Sequence, residues 1–315
     1  MAIVEHVVSL PILHPESGKK AHLRFMGKVD RVEGRTLIDW KGVASCSRFI
    51  SQARIGYQGE LYTMGLADVG IGIDEIEYRL ITRPTIKLCG TDEKKAEETG
   101  VAIKMAYEQR CLDWLTEDPQ KLTTYNYYIH SAKLEQAKWY LWESSRRLLE
   151  NGRNTRWIPN THACYAWERE CAYLPLCDAV QNGADHEWLI DNQYRVLTSS
   201  HPELNGTDAS TKIVTQSSLA DLQLCEMYYY WKHKRRLKKG TEDHAEALWI
   251  GSAMHAGMER IDKGEDVALA AIESWAQANP VLGEKDNRKQ DQQVARARAM
   301  VRVGLLKWEN KANDE

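Results

Sequence analysis

The stretch GKVDRVEGRTLIDWKG, residues 27–42, decides how the rest of the chain is read. Asp30 stands near the end of one strand, Glu33-Gly34-Arg35 makes a turn, and TLIDWKG is the next short strand. Side chains alternate along a strand, so Asp39 and Lys41 project from one face, two residues apart. An antiparallel neighbour can bring Asp30 beside them. Two carboxylates and a lysine at one point suit a hard divalent cation, Mg²⁺ or Mn²⁺, and an activated water. On spacing alone, the same residues also suit two solvated acids beside a hairpin.

Working outward, residues 3–12 read as a strand and HPESGKK as a turn, so the chain opens on an antiparallel meander. From Ser51 to Ala67 the period becomes helical, with Gln58 and Tyr62 four apart on one face. DEIEYRLITRP then returns as a strand stopped by Pro84. Strand, helix and strand in succession predict a parallel pairing by a right-handed crossover, and hence an α/β core. Residues 92–116 and 131–150 read as amphipathic helices, with KLTTYNYYIH between them as an edge strand. Residues 179–212 are polar and turn-rich, the best linker. Beyond them a helix begins at Ser217 or Ser218 and runs to Gly240, a second carries Gly251-x-x-x-His255, and residues 286–309 form a charged helix with a sparse apolar stripe.

The 315 residues are 43% hydrophobic and 28% charged, which excludes wholesale disorder. Eleven Trp and 14 Tyr against 2 Phe favour grooves and surfaces over a purely greasy interior. A net charge of −3 neither demands nor forbids a nucleic-acid partner. No stretch approaches the roughly 18–20 apolar residues of a membrane span, and MAIVEHVVSLPIL lacks the features of a signal peptide. A cytoplasmic protein with no membrane partner is expected. Seven cysteines, an odd number, argue against a disulfide framework, and Cys164, Cys171 and Cys177 cluster as C-x6-C-x5-C. Cys225 is the strongest fourth ligand, and four thiolates suit either an iron–sulphur cluster or tetrahedral zinc. The run YYYWKHKRRLKK interleaves Tyr229 and Trp231 with Lys232, Lys234, Arg235, Arg236, Lys238 and Lys239. It suits stacking on bases with phosphate contacts, or a solvated helix face.

Taken together these features resemble a RecB-like member of the PD-(D/E)XK nuclease superfamily, in the iron–sulphur branch that includes AddB-type and CRISPR-associated exonucleases. The elements are Ser217-Ser218-Leu219 through Cys225, Gly251 to His255, Gly27 to Asp30, Asp39-Trp40-Lys41, Gln58 to Tyr62, and the three clustered cysteines. Their order departs from the family's: the helices carrying Cys225 and His255 come last here instead of first. The resemblance covers about residues 20–85 and 155–260.

The resemblance implies a restriction-endonuclease-like mixed sheet flanked by helices, either circularly permuted in one chain or swapped between copies in a homo-oligomer. Residues 1–178 would be the nuclease core, 179–212 a linker, and 213–315 a helical segment completing the same domain. It implies His255, Asp30 and Asp39 as metal ligands, Lys41 as the catalytic lysine, and Gln58 and Tyr62 lining the site near DNA. Cys164, Cys171, Cys177 and Cys225 would hold a [4Fe–4S] cluster, with zinc the rival. The function implied is a divalent-metal-dependent DNA nuclease, an exonuclease of recombination, repair or phage DNA processing. The alternative is a non-catalytic DNA-binding or assembly subunit that keeps the fold.

Overall fold

The structure is a computed structural model that describes residues 2–165, 170–198, 213–239, 246–280 and 288–309. The opening meander consists of β1 (Ala2–Leu13), β2 (Lys20–Glu33) and β3 (Thr36–Val43), antiparallel throughout. Two helices follow, α1 (Cys46–Ile55) and α2 (Gln58–Ala67), and then β4 (Glu75–Thr82). β4 lies parallel to β3 over its whole length, as the strand–helix–strand order predicts. Helices α3 (Gly90–Thr99) and α4 (Ile103–Thr116) lead to β5 (Leu122–Tyr128), which closes the sheet edge antiparallel to β4. The order β1-β2-β3-β4-β5 runs across a central mixed sheet, to which a sixth, two-residue strand adds at β2.

The long helix α5 (Ser131–Asn154) precedes the cysteine-rich segment, which holds α6 (Leu174–Gln181). In place of a structureless linker, the described part of 179–198 holds α7 (His186–Gln193) and β6 (Tyr194–Val196). Polar composition hid them because their few apolar side chains, Ile190 and Tyr194, bury into a small local cluster and leave no periodic stripe.

The C-terminal segment opens with β7 (Ile213–Val214), which adds parallel to β2, and α8 (Gln216–Leu224). The helix begins two or three residues earlier than the serines suggest. Thr215 is its N-cap and accepts the Ser218 N–H, while Ser218 Oγ accepts the Thr215 N–H in a reciprocal capping box. Nor does it run to residue 240. Cys225 is extended at φ −166°, and the chain restarts as α9 (Glu226–Tyr229) and a π-helical turn, Tyr230–Lys234. The end of the basic run is a strand, β8 (Leu237–Lys239), paired with β6. The glycine expected to close the helix, Gly240, lies outside the described residues.

Helices α10 (Glu246–Met258), α11 (Glu265–Ala278) and α12 (Arg288–Gly304) complete the fold. They pack with α4 over one sheet face, where Ile38, Trp40 and Ile81 meet Trp249, Ile250, Met254, Met300 and Val301. On the other face, Phe25, Leu37 and Leu80 meet Leu61 and Leu66 of α2, Leu141 of α5 and Leu219 of α8. Two expectations are corrected here. Residues 92–116 are two helices, because Gly100 takes φ 70° and caps the first. The charged helix at 288–304 is a core helix, buried at Val294, Ala295, Arg296, Ala297, Ala299, Met300, Val301 and Val303. Its arginines escape solvent through pairing: Arg296 donates to the Tyr107 hydroxyl and Ile86 carbonyl, and Arg298 and Arg302 both pair with Glu108. Among the described residues no helix is long and apolar enough to cross a membrane.

Candidate active site

The site lies where β2 and β3 part. Their ladder holds only Glu33 with Thr36, Val32 with Leu37 and Arg31 with Ile38. The next partners in register are Asp30 and Asp39, and there the backbone pairing stops. The Trp40 N–H instead donates to Asp30 Oδ2 at 2.8 Å, so a carboxylate replaces the missing strand partner. β3 stays anchored through its parallel pairing with β4, which sets Asp39 beside Tyr78. Across β2, the position opposite Asp30 is also irregular. Glu5 drops out between the pairs Val4–Arg31 and His6–Val29, with φ 59°. A non-glycine residue in that region costs about 1–3 kcal/mol, and such strain concentrates at functional sites.

Lys41 Nζ lies 2.7 Å from Asp39 Oδ2, and Asp39 is 3% exposed. Burial pushes the Asp39 carboxyl up to about 6, against the pull of the Lys41 ammonium. Burial also raises Asp30, again opposed by Lys41. For Lys41, burial alone would lower the ammonium, but the Asp39 and Asp30 carboxylates outweigh it and raise its pKa. The third contribution comes from the far end of the chain: His255 on α10 places Nδ1 3.7 Å from Asp30 Oδ2. Burial, and then the Lys41 ammonium, hold His255 down at about 4, so its ring is neutral at neutral pH.

From α2, Gln58 Nε2 donates to the Tyr62 hydroxyl at 3.2 Å, and the Tyr62 ring lies over Gly27. A Cβ at position 27 would overlap that ring. Gly27→Ala is therefore expected to displace Tyr62 and cost about 1–3 kcal/mol in a denaturant titration.

Sequence reasoning brought Asp30, Asp39, Lys41, Gln58, Tyr62 and His255 forward, and the structure gathers all of them. It missed Glu5, Lys28 and Glu259. Lys28 Nζ pairs with Glu5 and lies 3.2 Å from Glu259 Oε1, which ties α10 to β2 next to the site. Burial, then hydrogen bonding to Glu259, push the Glu5 carboxyl up to about 7. One signal was available: Glu259 follows His255 by four residues, one helical turn.

Cys164, Cys171, Cys177 and Cys225 line a single pocket of about 220 Å³. The Asn160 N–H donates to Cys225 Sγ at 3.2 Å, and Trp231 Nε1 donates to Cys177 Sγ at 3.4 Å. Trp231 is thus buried in this small core, 1% exposed, with its indole committed. Most of the basic run is engaged too: Lys232 pairs with Asp221, Arg235 with Glu187, and Arg236 donates to the Thr198 carbonyl. Lys238 and Lys239 lie on β8.

Among the described residues, no group of three or more His, Cys, Asp or Glu side chains is arranged to hold a metal ion. The chemistry of the donors nevertheless fits one at the strand fork. Two buried carboxylates, both raised by desolvation, meet there, and among the described residues the buried Asp39 Oδ2 meets no donor but the Lys41 ammonium. Hard oxygens beside a neutral imidazole suit Mg²⁺ or Mn²⁺. The four thiols on one pocket, with N–H donors aimed at two sulfurs, fit a tetrathiolate group in the same sense.

A family model matches part of the chain. Residues 213–315 match the model of the PD-(D/E)XK nuclease superfamily. No curated protein and no solved structure matches the chain. The matched segment carries Cys225 and His255, whereas Asp30, Asp39 and Lys41 lie near the other end of the sequence. Within one chain, β7 pairs with β2 and His255 reaches Asp30, so the C-terminal helices close onto the N-terminal sheet. The match points to nuclease chemistry.

Proposed function

We propose that the protein is a divalent-metal-dependent nuclease that hydrolyses phosphodiester bonds of DNA at the β2–β3 fork, as an exonuclease. The observation that carries this reading is the meeting of Asp30, Asp39 and Lys41 with His255, across more than two hundred residues of sequence, at a buried strand fork.

Asp30, Asp39 and His255 would hold the cation. A bound Mg²⁺ or Mn²⁺ supplies Lewis acidity to the scissile phosphate and lowers the pKa of a bound water. The chain's own residues do the rest. Lys41, kept charged by its two carboxylates, orients the attacking water and neutralises charge developing on the phosphoryl oxygens. Tyr62, braced by Gln58, walls the site and limits bulk water. Cys164, Cys171, Cys177 and Cys225 would hold a [4Fe–4S] cluster that pins α8 and α9 to the cysteine-rich segment, a structural staple with zinc as the rival occupant. Iron and zinc content of protein purified without air separates these two. A role in recombination, repair or phage DNA processing follows from the resemblance alone.

The direct test is cleavage of end-labelled single- and double-stranded DNA with Mg²⁺, Mn²⁺ or EDTA. Metal-dependent release of mononucleotides or short oligonucleotides from ends supports the reading; intact DNA under all three conditions overturns it.

Metal binding is expected to depend on pH through Asp39. A carboxyl raised to about 6 in the folded state contributes stability that is present below its unfolded value, near 4, and lost as pH rises through 6. A divalent cation bound to the ionised carboxylate offsets that loss. The rise in Tm produced by Mn²⁺ should therefore be large above pH 6.5 and nearly absent at pH 4.5, falling about tenfold in affinity per pH unit below 6. His255, at about 4, stays neutral through this window and leaves the midpoint to the carboxylates. A flat response between pH 4.5 and 7.5 would place the cation elsewhere.

A further inference from the structure

A pocket of about 480 Å³ opens between α5, the start of β2 and the aromatic turn after α9. Its floor is aliphatic, from Leu148 and Leu149, and its wall is aromatic, with the Trp157 and Tyr229 rings stacked at 5.8 Å and 14°. Arg153 and Lys234 line the pocket as well. Neighbouring cations are spoken for, Arg146 by Glu143 and Glu150, Arg147 by Glu226, Lys232 by Asp221 and Arg235 by Glu187. Among the described residues, Arg153 and Lys234 form no ion pair, and no acidic residue lines the pocket. The volume falls in the range of small-ligand sites, roughly 300–1,000 Å³.

Flat apolar and aromatic walls with two unpaired cations match one chemistry: a planar base joined to phosphates. We propose that this pocket binds one unpaired nucleotide of a single-stranded nucleic acid, with the base against Trp157 and Leu149 and the flanking phosphates at Arg153 and Lys234. This deepens the nuclease reading and rests on it for the strand's fate. Leu23 lines the pocket and stands seven residues before Asp30 on β2, so pocket and fork are roughly 23 Å apart at about 3.3 Å per residue. A strand held here reaches the fork after about seven nucleotides at a stacked rise of about 3.4 Å. The pocket would then secure the strand at a distance from the bond being cut. A duplex offers no splayed base and cannot fill it.

The test measures binding in EDTA of fluorescent dT20, rU20 and a blunt 20-base-pair duplex, with wild type, Trp157→Ala, Trp157→Phe and Arg153→Glu, each checked for its thermal melt. Trp157→Ala is expected to weaken dT20 about tenfold and Trp157→Phe far less, because the latter keeps a stacking face. Arg153→Glu should lower the salt slope by at least about 0.7. Duplex binding should be unchanged. Parallel losses for rU20 identify a pocket for either sugar, and losses confined to one strand type identify its ligand. With Mg²⁺, Trp157→Ala should raise KM for long single strands and leave kcat near wild type. Unchanged dT20 affinity in Trp157→Ala, or equal weakening of the duplex, overturns the pocket while metal-dependent cleavage leaves the nuclease reading standing. Wild-type protein that binds dT20 but cleaves nothing has the opposite meaning.

Discussion

Asp39→Asn is expected to reduce metal-dependent cleavage by at least about a thousandfold, with the fold retained in circular dichroism. The substitution keeps the shape and removes the charge that Lys41 pairs with and that a cation requires. Lys41→Met should be comparably inactive, by about 10²–10⁴-fold, but by a different route. Removing the ammonium takes positive charge from beside Asp39 and Asp30, so the cation should bind at least as well as before. Calorimetric titration with Mn²⁺ separates the two: Asp39→Asn loses binding, and Lys41→Met loses turnover alone. The stability cost is moderate, because the Lys41 side chain is 23% exposed and water can solvate what its partner leaves. Cleavage by Asp39→Asn near the wild-type rate would move the site away from the strand fork.

Ending the chain near Asp208 is expected to have a still larger effect on the protein as a whole. The fragment lacks β7 and helices α8 to α12, and with them His255 and Cys225. It also loses most of the hydrophobic layer on one sheet face. Trp249, Ile250, Met254, Met258, Ile272, Met300 and Val301 would no longer cover Ile38, Trp40 and Ile81. Each large buried side chain contributes about 1.5–3 kcal/mol, against a total of about 5–15 kcal/mol for a whole domain. The fragment should therefore be insoluble or molten, colourless and inactive, as judged by solubility, ANS binding and the DNA assay. Co-expression of residues 209–315 as a separate chain should recover soluble complex and part of the activity, with effective concentration the only loss. A soluble, cooperatively melting and active 1–208 fragment would separate the C-terminal helices from the candidate site altogether.

Much of the sheet could be read directly. Period-two alternation, the Glu33-Gly34-Arg35 turn and the stop at Pro84 are local signals, and they correctly give the meander, the parallel β3–β4 pair and the edge strand β5. Helix ends were read less well. Residues 51–67 lie in two helices joined at Gly56-Tyr57, and the segment after Thr215 breaks at Cys225. The second break follows from partners remote in sequence: Asn160 donates its backbone N–H to Cys225 Sγ and its side-chain amide to the Leu224 carbonyl. No local propensity encodes that. The charged helix α12 misled for a related reason. Arginines signal solvent unless acids elsewhere in the fold, here Glu108, Glu246 and Glu273, are placed to meet them.

By itself the sequence determined which side chains are available for chemistry and which faces they share: Asp39 with Lys41 by strand alternation, Gln58 with Tyr62 by helical period, and three cysteines by proximity. It also showed that the pieces of the resemblance stand in an unusual order. Only the tertiary structure decided that the pieces meet. It placed His255 against Asp30 and Cys225 beside the cysteine-rich segment. It also showed that Lys232 and Arg235 are spent in ion pairs while, among the described residues, Lys234 and the unremarked Arg153 form none. The physical reason is range. Periodicity and turn chemistry act over a few residues and are written in the local sequence. Burial, desolvation and ion pairing are fixed by whatever the packed chain brings alongside, here from more than two hundred residues away.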